Sequence, residues 1–363
     1  MCTSHGERWP DVEEAFLRIR RWSNSRHNVG HTDSRRSAGH GKTRQELSGS
    51  RALRCCADSA NSSIVRGAAT NEATKRHSCG DWNGRGGVSF RDGDVSSQLR
   101  EMLMNGLALA PAGANVVMQL SRLPVGHGVA ESRVESGALM RHPIKRTRTT
   151  LGYILVALLG DDNDRATVRR EVNRQHRLVR SVDDGAVAYN AFDTDLQLWV
   201  AACMYRGALD ALTFIYEPLS LDLLDDLYLH CARFATTLQV SPSDWPESRA
   251  AFDEYWATSM DLVTMDNTTR AYLRGVVSLA FLPRVLRWVL GPLHEFITAG
   301  FLPEPFRREL GVEWSERRQR RFEWLTRTVA AAHRRLPRPV REFPLNLVWW
   351  DTRRRFRHER TFV

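Results

Sequence analysis

Apolar residues recur at spacings of three and four along most of the chain after residue 96, which is the period of an α-helix. Alternating apolar and polar residues, typical of strands, are nearly absent; only the stretch "GAVAYNAF" is expected to form a short extended piece. The pattern therefore predicts an all-α fold, with a single large bundle-like helical domain. The predicted helices are Leu99–Ala108, Ala112–Leu120, Thr149–Leu159, Asp164–Val179, Thr194–Tyr216, Ser220–Leu238, Pro246–Met260, Thr268–Trp288, Leu293–Ala299, Glu304–Leu310 and Ser315–Leu336.

Several helix ends carry clear signals. Ser220 and Ser315 precede acidic residues and are predicted N-caps, whereas Gly160 and Gly300 are predicted to end helices. The stretch "DDNDRATVRREV" resembles a calcium loop but lacks the required Gly and Glu, so we interpret it as a turn with an acidic N-cap.

The first 95 residues differ from the rest. They are rich in Ser, Arg, Gly, Asn and His and show no apolar period, so we predict that they are disordered. We expect three parts: a disordered head (1–95), a helical catalytic domain (96–345) and a basic C-terminal tail (346–363). The head also resembles translated non-coding sequence, which suggests Met102 or Met104 as alternative starts; the intact mass of the native protein would test this hypothesis.

The net charge of +10 is concentrated at the two ends of the chain. Residues 315–363 carry 14 Lys and Arg against 5 Asp and Glu, whereas residues 96–314 carry 22 against 26. The main body is therefore slightly acidic, and we expect no specific nucleic-acid partner. A basic end attracts anionic surfaces without specificity, so contact with a membrane surface stays open.

The cysteine pattern indicates a reducing compartment, and the hydropathy pattern shows neither a recognisable signal peptide nor an uninterrupted apolar span. Only Cys203 and Cys231 lie in the helical part, and the chain has no CxxC motif, so zinc ribbons and disulfide frameworks lack support. No signal peptide is recognised, and the most apolar later stretch is interrupted by Pro283, Arg284 and Pro292. We expect a cytoplasmic protein.

The stretch "VRREVNRQHRLVRS" contains the strongest candidate for chemistry. On a helix, Val168, Val172, His176 and Val179 share one face, and the arginines lie outside it. An imidazole on an apolar face needs partners for its nitrogens. His176 is either a core histidine bonded to a carbonyl or an axial ligand of haem iron, for which one imidazole is enough.

Two further stretches contain candidate polar groups. In "KRTRTTLGY", Arg146 and Thr150 share a helix face and could orient a haem propionate or dioxygen, or could form an exposed basic helix start. In "LPVGHGVAES", Gly126 and Gly128 permit a close turn before Glu131. Glu131 is either a half-buried base with a raised pKa or an ordinary acid at a helix start. Nucleophile-elbow, Walker and HExxH motifs are absent.

Seven stretches of the chain, taken in order, resemble a known family. They are "LPVGHGVAES", "HPIKRTRTTLGYILVALLGD", "EVNRQHRLVRS", "YNAFDTDLQLWVAACMYRGALDAL", "YEPLSLDLLDDLY", "LPEPFRRELGVEW" and "LPRPVREFP". They are similar to the haem-dependent oxygenases related to latex clearing protein (rubber oxygenase) and to the MpaB oxygenase. The resemblance covers about Leu99 to Phe343 and rests on the ordered series of motifs.

This resemblance implies that His176 is the proximal ligand of haem b and thus the iron ligand. It implies that Arg146 and Thr150 lie near the haem, where dioxygen binds opposite the histidine. In rubber oxygenase a lysine precedes this threonine, whereas this chain has Thr149. The family's catalytic glutamate matches Glu131 with a one-residue change in spacing. Structural roles follow for Tyr189, Asp193 (a cap) and Trp199 (core).

The resemblance implies an oxygenase that acts on an apolar, unsaturated or prenyl-like substrate. Two alternatives stay open: a helical haem or lipid carrier without turnover, and a peripheral protein whose C-terminal helix docks on anionic membrane. In that helix, Phe322, Leu325, Val329 and Leu336 form an apolar stripe, which could equally pack on the body. The sequence defines neither the electron donor nor the oligomeric state.

Overall fold

The computed structural model describes residues 96–362, except residues 133, 135–136, 182–186 and 217. The disorder predicted for residues 1–95 lies outside the described residues. Regular structure in the described part is helical, apart from one antiparallel bridge between Arg180 and Asn190. The prediction of an all-α fold is confirmed, and Asn190 falls within the stretch expected to be extended.

The α-helices are α1 (Ser97–Leu103), α2 (Ala112–Leu120), α3 (Leu123–Ala130), α4 (Pro143–Leu159), α5 (Asp162–His176), α6 (Thr194–Tyr216), α7 (Leu221–Cys231), α8 (Arg233–Thr236), α9 (Arg249–Ser259), α10 (Asn267–Val277), α11 (Arg284–Phe301), α12 (Glu304–Leu310), α13 (Glu316–His333), α14 (Arg338–Glu342) and α15 (Leu345–Arg357). Short 3₁₀ turns cover Gly106–Leu109, Pro242–Asp244 and Met260–Leu262.

Helix α6 lies at the centre of the core, and α1, α2, α7, α8 and α13 pack against it. The helix is largely apolar, and its Arg206 and Asp210 side chains form an ion pair at the partly exposed side. Trp199 is fully buried, its indole N–H donates to the Gln119 carbonyl at 3.0 Å, and its ring stacks on Trp256 at 5.4 Å between centroids. Trp199 is therefore a core residue, as predicted.

The contact between α2 and α6 is especially close. The Asn115 side-chain amide donates to the Cys203 carbonyl at 2.5 Å. A Cβ atom at Gly207 would lie 2.2 Å from the Asn115 amide nitrogen. A larger residue at position 207 would therefore displace the Asn115 side chain from its bond to Cys203.

The predicted N-caps are present. Asp161 caps α5 in a capping box with Asp164, and Ser220 and Ser315 cap α7 and α13. The Asp193 carboxylate accepts hydrogen bonds from backbone N–H groups in the first turn of α6. The "DDND" stretch supplies the predicted acidic N-cap, but its last three residues belong to the first turn of α5 and not to a separate turn.

The predicted helix ends are confirmed in part. Gly160 is the C-cap residue of α4, whereas Gly300 lies inside α11, whose C-cap residue is Leu302.

Helix α3 corrects the expectation of a turn at Gly126 and Gly128. A Cβ atom at Gly126 would lie 2.6 Å from Thr269 Oγ1 and 2.8 Å from the Leu120 carbonyl oxygen. The glycine therefore allows α3 to approach α10 closely, and the segment needs no unusual backbone conformation. Close packing and turn formation favour the same residue type, so the sequence did not distinguish them.

Helix α11 runs through Pro292, where we expected a break between Trp288 and Leu293. Proline removes one backbone hydrogen bond, to the Trp288 carbonyl, and Trp288 lies on the exposed surface where water can replace that bond. The break before α11 comes at Pro283, its N-cap residue.

Other helix ends differ from the prediction. Helix α4 begins six residues before Thr149, with Pro143 in the first turn, where proline is tolerated. The predicted Ser220–Leu238 helix divides into α7 and α8. Helix α1 ends at Leu103, α9 begins at Arg249, and α13 ends at His333. The stretch that we called a basic tail forms α15, which packs against α4.

Among the described residues, α6 is long and apolar enough to cross a membrane. The segments Ser97–Leu103 and Gly106–Leu120, which meet at a bend, would also be long and apolar enough if they formed a single span. Half of the most apolar window of α6 is buried inside the protein. The core helix of a soluble protein has the same properties, so the finding is weak evidence for a membrane span.

Candidate active site

Arg146 and Thr150 lie one turn apart on the same face of α4, as the sequence predicts. Both residues are exposed. The Thr149 hydroxyl donates to the Arg146 carbonyl at 3.0 Å, so it is satisfied within its own helix. On this helix, Arg146 and Thr150 present the polar groups with which a ligand could interact.

His176 is the last residue of α5. Val168 is buried and Val172 is partly buried, so the apolar face predicted for this helix exists. The prediction of a helix to Val179 is wrong by three residues: the Val179 N–H donates to the His176 carbonyl at 2.9 Å in the turn that follows. The His176 ring contacts the edge of Phe192 at 6.1 Å between centroids.

The His176 imidazole is neutral. Burial, and secondly the positive charge of Arg146, lower its pKa to about 4. Its Nδ1 atom is buried and has no hydrogen-bond partner in the part of the chain that the structure describes. The alternative of a core histidine bonded to a carbonyl through Nδ1 is therefore not realised in this structure.

Arg146 lies in a recess. Its side chain is exposed to solvent, yet desolvation by surrounding protein lowers the pKa of its guanidinium. Both observations hold for a group on the wall of an open concavity. A Cβ atom at Gly137 would lie 3.8 Å from Arg146 Nη1, which places the chain before α4 beside the guanidinium. No acidic side chain of the described ranges forms an ion pair with Arg146.

The fold brings Arg146, His176 and Tyr272 into one electrostatic environment. The charge of Arg146 lowers the pKa of His176 and opposes the rise in the pKa of Tyr272 that burial causes. Arg146 lies on α4, His176 on α5 and Tyr272 on α10, and they are separated by up to 126 positions along the chain. The arrangement is a cationic and hydroxyl-lined recess beside a neutral imidazole.

The sequence analysis missed Tyr272 and Phe192 as members of this region. Tyr272 follows the apolar period of α10 and carries no motif of its own. Phe192 lies in "YNAFDTD", where we gave only structural roles to neighbouring residues. Within that stretch, Tyr189 lies against Gly128: a Cβ atom there would be 3.4 Å from the tyrosine ring.

Glu131 lies after the end of α3, as its C-cap residue, and not at a helix start as one alternative expected. Its carboxylate bonds His127 Nδ1 at 2.7 Å, and Asp266 bonds His127 Nε2 at 2.6 Å. Burial opposes protonation of His127, but the two carboxylates prevail and raise its pKa. No hydrogen bond or ion pair within the described ranges joins Glu131 to Arg146, Thr150 or His176.

Other polar side chains near α4 are already engaged. The Tyr153 hydroxyl donates to the Phe234 carbonyl at 2.6 Å, and burial raises its pKa. A recess of about 640 Å³ opens on another face of α4 and contains none of the candidate residues. It is lined by Arg141, His142, Pro143, Ile144, Lys145, Arg148, Arg355 and Thr361.

A family model described as "ER-bound oxygenase mpaB/B'/Rubber oxygenase, catalytic domain" matches residues 99–331. The match covers well over half of the chain and nearly all of α1 to α13. The chain belongs to this oxygenase family. Both residues of the Arg146 and Thr150 pair, Glu131 and His176 lie within the matched range.

Two mycobacterial relatives are similar over the helical part. The uncharacterized proteins Mb2261 of Mycobacterium bovis and Rv2237 of Mycobacterium tuberculosis are each 49% identical to this chain over 255 residues. The alignment covers 70% of this chain and 100% of each relative. No solved structure matches the chain.

Haem, which the family resemblance implies, fits the chemistry of these residues. A neutral imidazole is the form that binds a metal ion, and His176 stays neutral at physiological pH. Within the described ranges, no group of three or more His, Cys, Asp or Glu side chains could hold a metal ion. Because a porphyrin supplies four iron ligands itself, haem needs only one such side chain.

Proposed function

We propose that the protein is a haem-b-dependent oxygenase that uses dioxygen to oxidise an apolar substrate of the unsaturated or prenyl-like class. The observation that carries the proposal is the pairing of a neutral His176 with an Arg146 that no carboxylate in the described ranges neutralises. A buried nitrogen without a partner and a desolvated cation both destabilise a protein. A haem would relieve both costs, because it offers an iron and anionic propionates.

Bound haem would supply the redox chemistry, with His176 as its iron ligand. The chain's own contribution begins with Arg146 and Thr150, whose N–H and O–H groups point from one face of α4. We propose that they hold a propionate or a polarised oxygen atom by charge-assisted hydrogen bonds. Tyr272 adds a phenol hydroxyl within electrostatic range of the guanidinium.

Glu131 is proposed as the acceptor of a substrate proton. Its carboxylate bonds His127, whose raised pKa favours the protonated imidazole. This hydrogen bond already engages the carboxylate, so Glu131 is less free to accept a proton than a glutamate without a partner. We therefore expect a smaller loss of activity for Glu131→Gln than for Arg146→Gln.

We propose that the protein is cytoplasmic and has no specific nucleic-acid partner. The two thiols in the described ranges, Cys203 and Cys231, are buried and form no disulfide, which fits a reducing compartment. The family description names endoplasmic-reticulum-bound members, so membrane association occurs within the family.

The test is the absorbance spectrum of the full chain purified with haem supplied. We expect a Soret band in the wild type and its loss in His176→Ala. His230→Ala is the matched control, because burial also lowers the pKa of His230 to about 4. Both nitrogens of His230 are bonded, to the Leu158 carbonyl and to Arg233, so its variant should retain haem.

A folded wild type without a Soret band, or equal loss of haem in both variants, contradicts the proposal. Dioxygen consumption with a polyprenyl alkene such as squalene then separates an oxygenase from a carrier. A haem-loaded protein that consumes no dioxygen with such alkenes would support the carrier alternative.

A further inference from the structure

The first half of α11 exposes a continuous apolar surface. Six of its side chains are exposed by 42% to 81%: Val285, Leu286, Trp288, Val289, Leu290 and Leu293. Single exposed apolar residues are common on soluble proteins, but a contiguous group of this kind marks an interaction surface. We call these six residues the α11 surface.

The geometry of the helix separates this surface from the protein body. Gly291 and Thr298 are buried, and the His294 ring bonds the Val277 carbonyl at 2.8 Å, so this stripe faces the body. At 100° per residue, Val285 and Val289 lie on the opposite stripe. The α11 surface therefore lies on the side of the helix that faces away from the protein body.

Charge around the helix favours an anionic partner. No Asp or Glu occurs from residue 267 to residue 294. Arg284 and Arg287 are both exposed in the first turn of α11, where the helix dipole disfavours cations. The Arg287 guanidinium donates to the Ser278 hydroxyl at 3.3 Å, so it lies on the body side of the helix.

We infer that the α11 surface inserts into the interface of an anionic phospholipid membrane. An amphipathic helix binds such a membrane when its apolar face enters the acyl region and its flanking arginines meet lipid phosphates. Tryptophan is favoured at this depth, and Trp288 is the most exposed of the six side chains. An apolar helix face with two exposed arginines and no acidic residue in the first turn fits an anionic lipid surface better than it fits a second copy of the same cationic helix.

This inference concerns a different helix from the one that the sequence suggested. In α13, Phe322 is buried and its ring contacts Phe301 at 5.0 Å between centroids. The first part of the apolar stripe of α13 therefore packs inside the protein and is not available to a membrane. The inference is independent of the proposed chemistry, because it requires neither haem nor turnover.

The experiment is co-sedimentation of the full chain with phosphatidylcholine vesicles that contain or lack phosphatidylglycerol. We expect wild-type protein to bind the anionic vesicles, and Val289→Asp to reduce the bound fraction about tenfold or more. Val340→Asp is the matched control: Val340 is 53% exposed and Val289 is 58% exposed, and both changes add one negative charge. Val340→Asp should bind like the wild type.

Two further measurements complete the test. Arg284→Gln with Arg287→Gln should remove most of the preference for anionic vesicles. Vesicles should shift the fluorescence of the wild type to shorter wavelength, and this shift should be smaller in Trp288→Phe. Binding through a basic segment elsewhere in the chain would be insensitive to Val289→Asp.

Three results would overturn the inference. The wild type could fail to bind anionic vesicles. Val340→Asp could lose as much binding as Val289→Asp. Light scattering without vesicles could show a dimer that Val289→Asp converts to a monomer, in which case a second copy of the chain covers the α11 surface.

Discussion

His176 at the end of α5 and His230 on α7 share one electrostatic property and differ in their bonding. Burial lowers the pKa of each to about 4, with a nearby arginine as the second cause. His230 bonds the Leu158 carbonyl at 2.6 Å and accepts from Arg233 at 3.3 Å, whereas Nδ1 of His176 is buried without a partner among the described residues. A lowered pKa alone therefore does not distinguish a structural histidine from a candidate ligand. The unsatisfied nitrogen separates these two histidines, but it does not identify a ligand by itself, because Nδ1 of His333 is also buried without a partner in the same part of the chain.

The largest expected effect is on the acid stability of the haem-free protein. A histidine whose folded pKa is near 4 and whose unfolded pKa is near 6.5 contributes stability above pH 6.5, and this contribution is lost as the pH falls toward 4. Each histidine should account for about 2 kcal/mol of this loss. This is less than the free energy that corresponds to the full pKa shift, because both rings are partly accessible to solvent. Urea unfolding from about pH 7 to about pH 4 should show a smaller loss in His176→Leu and in His230→Leu.

These two variants should behave alike in acid, since both histidines are held neutral by burial. If His176→Leu leaves the acid-induced loss unchanged, the imidazole is not held neutral in the folded protein.

At about pH 7.5 the same two variants should differ, because only one of them removes a satisfied group. His230→Leu leaves the Leu158 carbonyl without its partner and should lower the free energy of unfolding by about 1–2 kcal/mol. His176→Leu removes an unsatisfied nitrogen and should lower it by less than about 0.5 kcal/mol, or raise it. Equal destabilisation in urea titrations would contradict the distinction between the two sites.

His127 should show a smaller effect than His230 and the opposite dependence on pH. Its pKa is raised by Asp266 and Glu131, so its contribution is present below the unfolded pKa and is lost as the pH rises through the folded pKa. Both carboxylates are more than a third exposed, so we expect His127→Gln to cost about 1 kcal/mol near pH 6. The cost should shrink in alkaline buffer, as measured by thermal unfolding; a cost that grows with pH would contradict the pairing.

Local patterns predicted much of the fold and part of the site. The apolar period gave α2 and α6 with correct bounds, and it placed His176 beside Val168 and Val172. The spacing of Arg146 and Thr150 gave their shared face. In each case the information lies within one or two helical turns, where side-chain period and capping chemistry act directly.

Contacts between distant helices could not be predicted in this way. Tyr272 of α10 interacts electrostatically with Arg146 of α4, 126 positions earlier in the chain, and no local pattern encodes that proximity. The His127–Asp266 bond joins residues 139 positions apart. Gly126 was misinterpreted for the same reason, because its role depends on Thr269 of another helix. Pro292 was misinterpreted because an exposed helix tolerates the loss of one backbone bond.

The close fit at Gly207 has a consequence for how the molecule opens. Because the Asn115 side chain of α2 lies against Gly207 and donates to the Cys203 carbonyl, neither helix can slide or rotate against the other without breaking the Asn115–Cys203 bond. Opening motions that admit a bulky guest must therefore come from peripheral helices around a stationary pair. In hydrogen–deuterium exchange, the amides of this pair should be among the last to acquire deuterium.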